Sequence, residues 1–180
     1  MPTIQCSEEI RARADELFAL GQDYERRLSW DPFVREIRFL DGATETRVGV
    51  MVRVKARNGL MMVVRYTTVQ APRHVAIAMV TGPAIFRIFC GAWTFESVSE
   101  DRTRVTFRYH FTLRTLPAAR ILSWIVARVL RWEMSRRLAA FKRAGEAVRA
   151  PDRTTGPSSP GDRPAERVRA RGRSRATARQ

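Results

Sequence analysis

From Val34 to Leu113 the chain alternates apolar and polar side chains with a period of two, run after run, and the gaps between runs are too short to hold helices. No other feature constrains the fold as much. Alternating residues line opposite faces of a strand, and strands joined by only a few residues must pair antiparallel. "VREIRF" opens the series, and "TRVGVMVRVK" follows with Val48, Val50, Val52 and Val54 on one face and Arg47, Gly49, Met51, Arg53 and Lys55 on the other. "LMMVVRYTTV", "HVAIAMV", "FRIFCGAWTFESV" and "RVTFRYHFTL" continue it. Asp41-Gly42, Asn58-Gly59, Ala71-Pro72 and "SEDR" supply turns. The expectation is an antiparallel meander of about six strands.

Helical signals flank the meander. Thr3 to Cys6 reads as a short strand, and Ser7 with Glu9 and Ile10 offers a cap for a helix carrying Ile10, Ala14, Leu17 and Phe18 at helical spacing. Gly21 interrupts that spacing, which predicts two short helices, about residues 8–20 and 22–28. In "WDPFV", Pro32 cannot continue a helix, so Trp30 to Val34 is the junction between helices and sheet. After Pro117 a helix of about thirty residues is expected, with Leu130, Met134, Leu138, Phe141, Gly145 and Val148 in one stripe. Its first half is apolar over a wider arc, through Ile121, Leu122, Ile125, Val126 and Val129 together with Trp124 and Trp132. Arg128 and Arg131 interrupt that run well short of the about 20 residues a membrane span needs. The arc is therefore covered on two sides, or one side meets a partner or ligand.

Composition divides the chain at Ala150. All nine Phe, four Trp and three Tyr precede residue 142, whereas residues 151–180 hold eight Arg, abundant Pro, Gly and Ser, and Val168 as the only large aliphatic. Such a segment cannot bury enough surface to offset its chain entropy, so a domain over 1–150 and a disordered basic tail over 151–180 are expected. A formal charge of +15 favours anionic partners, and the tail offers weak electrostatic contact to RNA or an anionic membrane. The excess of 31 Arg over 2 Lys is equally what genome composition can produce. Cys6 and Cys90 stand alone, as do His74 and His110, so no disulfide, no metal and no cofactor is expected. The opening "MPTIQCSEEI" has no basic and apolar leader pattern, which gives a cytoplasmic expectation.

The order of strand, two short helices, meander and long helix is a helix-grip plan. "WDPFV", the Ala71-Pro72-Arg73 turn, the block "GPAIFRIFCGAWTF" and the helix ending "RRLAAFKRAGEAV" resemble the START-like (SRPBCC) superfamily, in the branch of polyketide cyclase/dehydrases and coenzyme Q-binding proteins. The resemblance spans about residues 3–148. It implies an α+β fold in which a curved antiparallel sheet grips the C-terminal helix around an apolar cavity.

The residues agree with a cavity on their own terms. Phe89, Trp93 and Phe95 share a strand face, as do Phe107, Tyr109 and Phe111 on the next strand. With Trp30, Tyr66, Leu122, Ile125, Val126 and Val129 these are the candidate ligand-binding residues, against the plainer reading that each simply packs a core. Either Arg65 or Tyr66 points inward; alternation alone leaves that open. Tyr109 and Arg87 are the candidates for chemistry, and Glu133 lies at the edge of the helix stripe. No Ser-His-Asp, Cys-His or phosphate-loop constellation is present, so binding ranks above catalysis. Three readings follow: a carrier or sensor of a quinone, isoprenoid, lipid or polyketide; a polyketide aromatase/cyclase; or an interaction module for a ribosome or membrane.

Overall fold

The computed structural model describes residues 3–114 and 119–149. Strand β1 (Thr3–Ile10) is followed by helices α1 (Ala14–Gln22) and α2 (Tyr24–Trp30). Six strands follow: β2 (Val34–Phe39), β3 (Met51–Ala56), β4 (Met61–Gln70), β5 (His74–Thr81), β6 (Phe86–Ser99) and β7 (Arg102–Leu113). Helix α3 (Ala119–Arg149) closes the fold. The strands make one curved sheet in the order β1-β7-β6-β5-β4-β3-β2, so the meander is intact and β1 adds beside its last strand. This is the helix-grip plan.

Two local readings are corrected. Ser7 does not cap a helix, because β1 runs on to Ile10, paired residue by residue with β7 as far as Thr103. A partner strand of 12 residues offers a full ladder to a segment whose local cap is worth only about 1 kcal/mol. α1 instead starts at Ala14, where the Glu16 carboxylate accepts from the Arg13 backbone N–H at 3.1 Å. Likewise the helix break is not at Gly21 but at Asp23, whose side chain accepts from the Arg26 N–H at 3.0 Å and caps α2. Packing does not demand glycine at position 21: a Cβ there would meet the Phe95 and Phe141 rings at ordinary contact distance, 3.7 and 3.9 Å.

The third difference lies in "TRVGVMVRVK". β3 begins only at Met51, because Gly49 takes φ +89° and the Val50 N–H turns back to the Arg47 carbonyl. Val48 is consequently exposed, while Val52 keeps its place in the core. Asp41-Gly42 does form a turn, with φ values of 55° and 71°.

α3 packs on β1, β7 and α1. Its second half carries the stripe foreseen from spacing, with Met134, Leu138 and Phe141 buried against Phe95, Leu17 and Ile10. Phe95, 2% exposed, belongs to this solid part of the core, whereas Phe111, also buried, lies further along the sheet opposite Phe89 and against Phe86. Toward the other end of α3 the packing opens.

Candidate functional site

The opening is a cavity of about 340 Å3 between the sheet and the first half of α3. Its wall takes side chains from every strand except β1, because the curvature that wraps the sheet round α3 also turns one face of those strands toward a common centre. Most of the wall is apolar, with Val64, Val75, Ile77, Phe89, Trp93 and Phe107 from the strands and Ile125, Val126 and Val129 from the helix.

Tyr66, Phe89, Trp93, Phe107, Tyr109, Ile125, Val126 and Val129, all singled out from sequence, line this wall. Tyr66 is buried and Arg65 exposed, so the inward residue of that pair is the tyrosine. Trp30, Phe95, Phe111 and Leu122 do not line it. Trp30 packs 5.0 Å from Phe141 and 6.5 Å from Trp93, centroid to centroid, behind the wall. Phe95 meets Phe18 and Phe141, Phe111 meets Phe86, and Leu122 packs against the core. Arg87 is corrected outright. A bulge between Phe86 and Ile88 shifts the β6 register, so Phe86 and Phe89 both face inward and Arg87 is exposed to solvent. Simple alternation fails at a bulge because the extra residue flips the parity.

Two hydrogen-bonded groups of polar side chains border the cavity. In the first, Arg137 of α3 donates from Nε and Nη2 to the two carboxylate oxygens of Asp31, at 3.1 and 2.8 Å, and from Nη1 to the Tyr109 hydroxyl at 2.7 Å. Asp31 also accepts from Arg27 Nε at 3.1 Å and from the Phe33 backbone N–H at 3.0 Å. Arg137 is 5% exposed and Asp31 1%. The Arg137 guanidinium is further held between the Phe33 and Phe107 rings, at 5.0 and 5.1 Å. In the second, Tyr66 donates to Gln22 Oε1 at 3.2 Å, and because its one proton is used there, Tyr24 donates to the Tyr66 oxygen.

Burial alone would raise the Asp31 carboxyl, but Arg137 and Arg27 outweigh it and hold the group well below the usual carboxylate range. Burial would lower Arg137, and Asp31 together with Tyr109 reverses that, so the guanidinium stays charged. The Tyr109 phenol is pushed up by burial, opposed in part by Arg137, and so it keeps its proton. The buried Arg137 and the half-buried Arg27 therefore share one carboxylate. Tyr109 accepts from Arg137 and has its own hydrogen to give. The arrangement suits a hydrogen bond to a carbonyl or enolate oxygen on an otherwise apolar molecule. Glu133, half-buried, also lines the wall and accepts from Arg136 at 3.2 Å.

Asp31, Arg137, Arg27, Gln22 and Tyr24 were not among the candidates from sequence. Two signals pointed to the first pair. Arg137 falls between Met134, Leu138 and Phe141, inside the apolar stripe, and a buried arginine requires an anionic partner. Asp31 sits in the helix-to-strand junction between Trp30 and Pro32. Among the described residues no three His, Cys, Asp or Glu stand close enough to hold a metal ion.

A helix-grip fold around an apolar cavity with a few inward polar groups defines a class of proteins that handle hydrophobic small molecules. The family model described as polyketide cyclase / dehydrase and lipid transport matches residues 1–146, and the chain belongs to that family. No curated protein matches the sequence. Among solved structures, the chain is similar to an aromatase/cyclase from a Streptomyces species, with TM-score 0.71 and 18% identity over 83% of this chain and 96% of that one. A START superfamily protein from Mycobacterium smegmatis gives 0.68 and 12% over 81% and 98%. Norcoclaurine synthase from Thalictrum flavum, in complex with dopamine and hydroxybenzaldehyde, gives 0.60 and 10% over 79% and 85%. At these identities the likeness is one of fold. No helix among the described residues is long and apolar enough to cross a membrane.

Proposed function

We propose that the protein encloses a hydrophobic small molecule bearing a carbonyl-type oxygen, as a carrier or sensor of a quinone, isoprenoid, lipid or polyketide. The observation that carries this reading is the Tyr109 hydroxyl, fixed by Arg137 at 2.7 Å on the wall of a cavity that is otherwise largely apolar. The volume lies at the lower end of the about 300–1,000 Å3 range of small-molecule sites. A dry void of this size would cost on the order of 8 kcal/mol at ~24 cal/mol per Å3, comparable with the stability of a whole domain. An occupant removes that cost.

A second reading, an aromatase/cyclase, is favoured by Glu133. A carboxylate on the same wall as a charged Arg137 and a neutral Tyr109 supplies a base beside an oxyanion stabiliser. Asp31 cannot be that base, since two guanidinium groups and a backbone N–H occupy its oxygens.

Native mass spectrometry of the purified full-length chain, followed by solvent extraction, tests the binding reading. The expected result is an added mass of a few hundred daltons that extraction identifies as an apolar, oxygen-bearing molecule. Extraction of a polycyclic product, together with turnover of a poly-β-ketone lost in Glu133→Gln, would favour the cyclase.

A further inference from the structure

The cavity occupies only the inner side of α3. On the outer side of the same half, Trp124 is 67% exposed, Trp132 57%, Ile121 65% and Val129 53%. Positions 121, 124, 125, 128, 129 and 132 recur at spacings of three and four, so they form one face. In the second half of α3 the outer positions are Ser135, Arg136, Ala139 and Arg143, an ordinary water-facing surface. The large apolar side chains on the outside are thus confined to one end of the helix. Ile125 and Val129 belong to both sides, lining the cavity while substantially exposed, so the patch borders the cavity mouth.

Charge identifies what covers the patch. Arg128 and Arg131 are interleaved with the two tryptophans, and the Arg136 guanidinium lies 4.6 Å over the Trp132 ring. Glu133 is the only acid between Ala119 and Gly145; it is half-buried and paired with Arg136. A second copy of the chain would set these arginines against their own kind with no carboxylate on the face to pair them. The Arg-rich segment 151–180 would do the same, and it brings almost no apolar side chain. Nucleic acid would meet the arginines and stack on the tryptophans but give nothing to Ile121, Ile125 and Val129. An anionic lipid surface satisfies all three kinds of residue at once: aliphatics enter the acyl boundary, indoles sit at headgroup depth, and arginines meet phosphates.

We infer that the outer face of the first half of α3 docks the protein on anionic membranes, with the cavity mouth turned toward the bilayer. This goes beyond ligand binding and is tested without ligand. The full chain is sedimented with vesicles of phosphatidylglycerol and phosphatidylcholine in equal parts, and with phosphatidylcholine alone. Binding to the anionic vesicles, weakened by salt and accompanied by a blue shift of tryptophan emission, is expected. Trp124→Ser/Trp132→Ser should lower partitioning roughly tenfold or more, and Arg128→Glu/Arg131→Glu by a similar factor. All four side chains point to solvent, so unchanged melting of both variants checks the fold. Undiminished binding of the tryptophan variant would overturn the inference, since contact would then be electrostatic and located elsewhere. So would failure of the full chain to bind anionic vesicles, or a light-scattering mass showing a dimer that the tryptophan variant dissociates.

Discussion

Arg137 and Asp31, 106 positions apart in the chain, meet through two hydrogen bonds of 3.1 and 2.8 Å in the interior, and Tyr109 completes the contact from the sheet. The pair joins the second helix–strand junction to the long helix at the polar end of the cavity. It ties fold and site together, because one guanidinium both neutralises Asp31 and aims the Tyr109 hydroxyl.

Removing one partner of such a buried pair leaves the other charge uncompensated. Arg137→Met should therefore destabilise the protein by about 3–5 kcal/mol, measured as the shift of a urea denaturation midpoint. Arg27 still contacts Asp31, so the loss falls toward the lower part of that range. A double variant with Asp31→Asn should lose less than the sum of the two single losses. Additive losses would mean that the contact carries no coupling.

Stability should depend on pH through Asp31. Its folded-state pKa is depressed below the ordinary value of 3.8, so its contribution is complete above about pH 5 and declines as pH falls through 3.8 toward the folded value. The sign is therefore a loss of stability with acid. Asp31→Asn should flatten the acid limb of a stability profile between about pH 5 and pH 2 while lowering stability at neutral pH. A variant whose acid limb is as steep as that of the unaltered chain would place the titrating group elsewhere.

Much of this was legible in the sequence. Period-two alternation placed β2 through β7 because half-buried strands must alternate, and a thirty-residue amphipathic pattern gave α3. The wide apolar arc at the start of α3 left open cover on two sides or one side for a partner or ligand, and its inner residues line the cavity while Trp124 and Trp132 are exposed. What escaped were features set by tertiary pairing. The bulge that turns Arg87 out, the extension of β1 along β7 and the φ of Gly49 depend on neighbours distant in the chain. The Asp31–Arg137 pair was hidden for the same reason: nothing local says which acid meets which base, although an arginine inside an apolar stripe says that some acid must.

Tyr109→Phe separates polar recognition from packing. The ring remains, so the wall keeps its shape, while Arg137 Nη1 loses its acceptor at a cost of about 1–3 kcal/mol. Affinity for a carbonyl-bearing ligand should fall roughly tenfold, and affinity for its hydrocarbon analogue should not change. Equal losses for both, measured by calorimetry, would show that the hydroxyl does not touch the ligand.

Val64, buried at 3% exposure, lines the cavity from β4. Val64→Phe should occupy part of the void, leaving stability of the unliganded protein equal or higher while abolishing the gain that ligand confers. A marked drop in melting temperature would indicate that the space at Val64 is already filled.

The central claim, a cavity built to hold a hydrophobic molecule, is tested most directly by titrating quinones, isoprenoids, fatty acids and aromatic polyketides while following melting and the emission of Trp93 on the cavity wall. At least one class should raise the midpoint by several degrees, in proportion to the logarithm of its concentration, and alter the fluorescence in the same range. The shift should vanish in Val64→Phe and weaken in Tyr109→Phe. No shift with any class, or one that persists undiminished when the cavity is filled, would contradict it.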